Sequence, residues 1–174
     1  MKIRSSAWHV FSVAAAACSV IALPAVAMAA PVNASTDAIG RCATADLTIQ
    51  LGTGVAGVGE VTYPLEFTNS GTKACLMAGE PRILPVDSSS VQVGHRSKSQ
   101  DTSDKTGFTM NPGDMAHSSV TIVDNMTARC MQVPGAMLDV FPPSERTGQV
   151  IPSFTFTACA DKANVRVDPV SPGA

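Results

Sequence analysis

The side chains in this sequence best suited to chemistry are sulfur and imidazole groups in one short window: Met110, Met115, His117, Met126 and Met131. Thioether sulfur and imidazole nitrogen are donors that suit Cu(I). Met115 and His117 are two apart, so they project from one face if the segment is a strand. Met110, Met115, His117 and Met126 therefore form a candidate copper set. The competing account is packing, because methionine fills irregular core gaps. The main expectation is that no metal and no other cofactor is held.

Cys42, Cys75, Cys130 and Cys159 are the second reactive set. They contain no close Cys-x-x-Cys pair and no nearby histidine to complete a tetrahedral site, which argues against zinc. Ser118, His117 and Asp114 are neighbours in sequence, but adjacent strand residues point to opposite faces, and there is no Gly-x-Ser-x-Gly elbow. Glu60, Glu66, Glu80 and Glu145 are the only glutamates, and no set of aromatics accompanies them as a sugar platform. A phosphate-cradling Walker loop is absent. The residue types thus give no catalytic constellation, and the chain is read as a non-enzyme.

The compartment follows from the first residues. Lys2 and Arg4 precede an apolar run over 10–28, and Ala27-Met28-Ala29 supplies the small-x-small pattern of a secretory signal peptide. Cleavage is expected after Ala29, since a cut one residue later would place Pro31 at the scissile bond. Pro24 and the small residues near the end disfavour an uncleaved anchor. Cys18 follows Ala15-Ala16-Ala17, but about ten further apolar positions make it a leader cysteine rather than a lipid attachment site. No other stretch is long and apolar enough to span a bilayer, so the product is expected to be secreted or periplasmic, without a membrane span after cleavage.

Such a leader takes two of the 12 basic residues and none of the 14 acidic ones, moving the formal net charge from −2 to −4. That balance argues against a nucleic-acid or anionic-membrane surface. The single tryptophan, Trp8, leaves as well. Few aromatics then remain for stacking sugars or single-stranded bases.

Residues 31–40 are small and polar, so 30–41 is expected to be a flexible tail. From Asp46 the chain alternates: Leu47, Ile49 and Leu51 against Thr48 and Gln50, then Val61, Tyr63, Leu65 and Phe67 against Thr62, Glu66 and Thr68. A period of two marks half-buried strands. Pro64, inside the second, suggests an edge position or a bulge. Further strands are expected over 82–86, 108–110, 116–123, 136–141, 150–159 and 165–167. Turns fall at 68–71, 79–81 and 111–114. The Ser-rich stretch 88–107 is expected to be an exposed, mobile loop. About eight short strands with frequent turns indicate one all-β domain, an antiparallel β-sandwich, over 42–170.

Four cysteines behind a leader read as a disulfide framework, for which the sequence alone allows three connectivities. The hairpins favour one of them. Folding 47–51 against 61–67 about a centre near Ala56 brings Cys42 towards Cys75. Folding the strands at Leu138 and Phe154 about Glu145 brings Cys130 towards Cys159. Each bridge would close a loop of about thirty residues, a contribution of roughly 3–4 kcal/mol.

The order Cys42, Asp46-Leu47, then Tyr63-Pro64-Leu65-Glu66-Phe67-Thr68-Asn69-Ser70-Gly71, resembles the secreted bacterial family known as domain of unknown function 4232. The resemblance continues through Cys75-Leu76, Gly79-Glu80-Pro81, Asn111-Pro112-Gly113 with Ala116, Cys130, Val140-Phe141-Pro142-Pro143 and Cys159. It implies an immunoglobulin-like sandwich outside the cytoplasm and supplies no catalytic residues. Glu80 departs from it, standing where the family usually has an aromatic.

The resulting expectation is a non-catalytic module that binds an unknown protein or envelope component. Its candidate contact surface is the polar stretch carrying His95, Arg96, Lys98, Asp101, Asp104 and Lys105.

Overall fold

The computed structural model describes residues 38–100 and 106–173. The leader and the tail as far as Asp37 lie outside the described residues. In strand β1 (Leu47–Leu51), Leu47 and Ile49 are buried while Thr48 and Gln50 are exposed. In β3 (Glu60–Asn69), Leu65, Phe67 and Asn69 point inward and Pro64 outward. The two strands pair antiparallel with Ile49 opposite Phe67, and β2 (Val55–Gly57) continues the same pairing with Gly57 opposite Glu60. The fold-back therefore lies at Val58-Gly59, a little beyond the expected centre near Ala56.

Pro64 is in neither of the ordinary places for a strand proline. It is not on an edge, because β3 is flanked by β1 and β2 on one side and by β8 (Met115–Val123) on the other. Nor does β3 bulge: it pairs with β8 without a break from Glu60 opposite Val123 to Thr68 opposite Met115. The irregularity is in the neighbour. Gly52 donates its N–H to the Pro64 carbonyl at 2.8 Å, and the strand then breaks over 52–54 where a return bond from proline is impossible. Gly52 is required there, since a Cβ would meet the Pro64 ring at 2.6 Å.

The large sheet runs β1-β3-β8-β11-β6, with β11 (Val165–Val167) antiparallel to β8 and β6 (Lys98–Ser99) parallel to β11. After β11, the chain pairs again with β8 through β12 (Ser171–Pro172). A second sheet is built from β10 (Gln149–Cys159), β9 (Gln132–Phe141) and β5 (Arg82–Val86). β4 (Cys75–Met77) and β7 (Phe108–Met110) form a separate pair, and a short helix, α1 (Asn125–Ala128), links β8 to β9. Leu65, Phe67, Val120 and Val165 from the large sheet share one core with Ile83, Leu138 and Val140 from the second. Met77 and Met110 join that core from the two-stranded pair. Burial of each such side chain contributes about 1.5–3 kcal/mol.

All eight expected strands are present in this all-β fold, and β2, β4, β6 and β12 are additional. The tail ends earlier than expected. Cys42 donates to the Leu76 carbonyl and Leu76 to that of Gly40, so residues 40–42 already run beside β4. The disulfides are Cys42–Cys75 and Cys130–Cys159, with Cα–Cα distances of 4.8 and 5.5 Å. These are the pairs the hairpin argument favours.

The stretch expected to be a free loop is instead fixed along much of its course. Val93 donates to the Pro85 carbonyl and Ser97 to that of Ile83, so the segment lies along the open edge of β5. The Ser97 hydroxyl oxygen also accepts from the Ile83 N–H at 3.0 Å. β6 then pairs with β11, and Gln100 donates to the Val167 carbonyl. An edge strand exposes unpaired backbone groups that favour a partner, and here one segment serves the edges of both sheets in turn.

Candidate functional site

Where this segment crosses from one sheet to the other, a cleft of about 470 Å³ opens between the start of β5 and β6. Glu80, Arg82, Arg96, Ser97, Lys98 and Val167 line it. Arg96 and Lys98 are exposed on either side of Ser97, the residue bonded to Ile83. The position of both cations is therefore set by backbone bonds, although their side chains are long. Among the described residues neither side chain has a hydrogen bond or ion pair.

Arg82 lies across the cleft. It begins β5 opposite Phe141, and its guanidinium is 4.0 Å above the Phe141 ring, a cation–π contact that covers the aromatic face. Its Nε is buried without a hydrogen-bond partner among the described residues. Asp139 is two residues before Phe141 on β9, so it shares that face. Burial pushes the Asp139 carboxyl above its ordinary value, and the Arg82 charge opposes that rise. Among the described residues Glu80 is the one carboxylate lining the cleft, against three cations.

His95 is exposed on the same segment but lines a neighbouring hollow with Gln92 and Ala160. Asp101, Asp104 and Lys105 lie outside the described residues. Half of the expected contact set is thus placed, and two members of it meet at the cleft. Arg82 was missed because only the bonds between Ser97 and Ile83 bring the crossing segment beside it. The nearest sequence signal was Glu80, the departure from the family pattern two positions before it.

The candidate copper residues are only partly brought together: Met110 and Met115 line one hollow at the start of β8, and Met126 lies away from it. Met110 is fully buried in the core and Met115 is 40% exposed. Met115 and His117 do share the outer face of β8. Met126 follows the opposite end of that strand, whose residues span about 26 Å at the usual rise. Met131 is exposed beyond the short helix. Among the described residues, no three His, Cys, Asp or Glu side chains group as they would around a metal ion. Ser118, buried, donates its hydroxyl to the Asp168 carbonyl at 2.6 Å, while the Asp114 carboxylate accepts from the Asn111 N–H at 2.7 Å. Ser118 and Asp114 are therefore engaged separately, away from His117.

The turn residues that carry the resemblance form one hydrogen-bonded knot. Asn69 donates through Nδ2 to the carbonyls of Lys73 and Met110, and its side-chain oxygen accepts from the Gly71 N–H. Its backbone N–H donates to the Asp114 carbonyl and its own carbonyl accepts from Gly113. Cys75, opposite Met110 on β7, ties this knot to Cys42. The role of these residues in the described structure is to join two turns beside a disulfide.

No curated protein and no solved structure matches this chain. The model of the family described as Domain of unknown function (DUF4232) matches residues 42–171. That span holds all four cysteines of the two bridges, the knot around Asn69 and both walls of the cleft, and the chain belongs to the DUF4232 family.

Proposed function

We propose that the protein is exported, loses its leader after Ala29 and works outside the cytoplasm as a non-catalytic, immunoglobulin-like binding module. It engages a protein or envelope component through the surface around His95, Arg96 and Lys98. The observation that carries this reading is the anchored segment 93–100, which presents two cations, without side-chain partners among the described residues, at the mouth of a polar cleft. Ordering costs are already met there, because backbone bonds fix the segment before any partner arrives. The two disulfides fit an oxidising compartment. Among the described residues no helix is long and apolar enough to cross a membrane.

The test is affinity capture from the envelope fraction of the source organism, with the wild-type domain compared to Arg96→Glu/Lys98→Glu. A partner retained by the wild type and lost by the variant supports the assignment. Identical capture by both proteins would move the contact surface elsewhere.

A further inference from the structure

The electrostatics of the cleft define the chemistry of its ligand more narrowly than the binding role does. Among the described residues three cationic side chains line it from two directions, Arg82 from β5 and Arg96 and Lys98 from the crossing segment, against the single carboxylate of Glu80. The Phe141 ring holds the Arg82 guanidinium from the β9 side, where the Asp139 carboxyl is near enough to feel its charge. This leaves Arg82 Nε, a buried donor, without an acceptor among the described residues. A buried N–H lacking an acceptor is costly, and the cost is relieved by any oxygen that reaches it. Arginine presents a planar fork of donors that matches two oxygens of one group, while lysine supplies a point charge.

We propose that this cleft is an oxyanion site that takes a carboxylate or phosphate group, with Arg96 and Lys98 as the recognising cations and Arg82 as the deeper donor. The inference rests on the proposed binding role and deepens it by naming the ligand chemistry. Ser97 is the positioning residue. Its bonds to Ile83 put the two flanking cations opposite Arg82, so charge is preorganised at the mouth before a ligand arrives. Val167 supplies a short apolar wall, which fits an anionic group carried on a larger molecule.

The test uses the purified mature protein at low ionic strength, titrated separately with pyrophosphate and with citrate and followed by amide chemical shifts. Saturable shifts centred on residues 82 and 96–99 are expected. Arg96→Ala/Lys98→Ala should weaken binding about tenfold or more, whereas Lys162→Ala/Arg146→Ala, which removes the same charge elsewhere, should leave it unchanged. Saturation by pyrophosphate alone identifies a phosphate site, and saturation by citrate alone a carboxylate site. Arg82→Gln should also weaken binding, with its thermal melt recorded alongside. If that variant unfolds, the double variant still decides. Shifts that rise linearly without saturating, or that fall equally in the control variant, would overturn the proposal. Anion binding without partner capture would discard the envelope-partner reading instead, so the two failures are distinct.

Discussion

Single residues in this domain act through hydrogen bonds and charges that the strand pairing brings close. Asn69 and Asn164 are buried polar side chains, and each satisfies backbone groups from segments far apart in sequence. Asn164 accepts from the Cys159 N–H and donates to the Val123 carbonyl, so it links the second bridge to the end of β8. Asp139 is the opposite case, a carboxyl whose burial outweighs its attraction to Arg82. Its folded-state pKa is raised above 3.8, so the native state holds the proton more tightly than the unfolded chain does. Stability is therefore lost as pH rises from that value through the folded pKa, and the cost is complete above it. Asp139→Asn should unfold at a higher urea concentration than wild type at pH 7, with the difference vanishing towards pH 3. A lower midpoint at pH 7 would mean that attraction to Arg82 outweighs burial.

Elements in this fold depend on what covers their edges. β5 has β9 on one side, and on the other it is completed by the anchored segment, whose Ser97 satisfies both backbone groups of the fully buried Ile83. Ser97→Ala should cost about 1–3 kcal/mol, because it leaves the Ile83 N–H buried without its acceptor. Denaturant titration measures this, and an unchanged midpoint would show that the segment is dispensable to the sheet. The alternation of Leu47, Ile49 and Leu51 made β1 legible, as did that of Leu65 and Phe67 for β3. β2, β4, β6 and β12 are two or three residues long and show no period. The segment 93–100 was misread because polar, Ser-rich sequence says nothing of backbone pairing. Serine and glycine can complete a sheet edge as well as they can form a loop.

At the scale of the whole molecule, the two bridges brace different parts of one core. Cys42–Cys75 fastens the entry to the sandwich beside the Asn69 knot, and Cys130–Cys159 fastens the end of β10 to the chain entering β9. Sequence separations of 33 and 29 residues give each bridge an entropic contribution of roughly 3–4 kcal/mol. Replacing Cys130 and Cys159 together by alanine should lower stability by about that amount in a chemical melt while leaving the cleft able to bind. Loss of anion binding in a variant that remains folded would show that the second bridge also shapes the cleft.

The sequence by itself determined the β class and eight of the strands and favoured the two disulfide pairs, because side-chain alternation and hairpin folding are local consequences of residue order. It also marked Arg96 and Lys98 as exposed charge. The tertiary structure alone decided that Pro64 sits in an interior strand, that residues 93–100 span both sheet edges, and that Met110 belongs to the core and apart from Met126. It also decided that Arg82 faces Arg96 and Lys98. Each of these depends on cross-strand register and on the packing of one sheet against another, which bring together residues that no spacing along the chain relates.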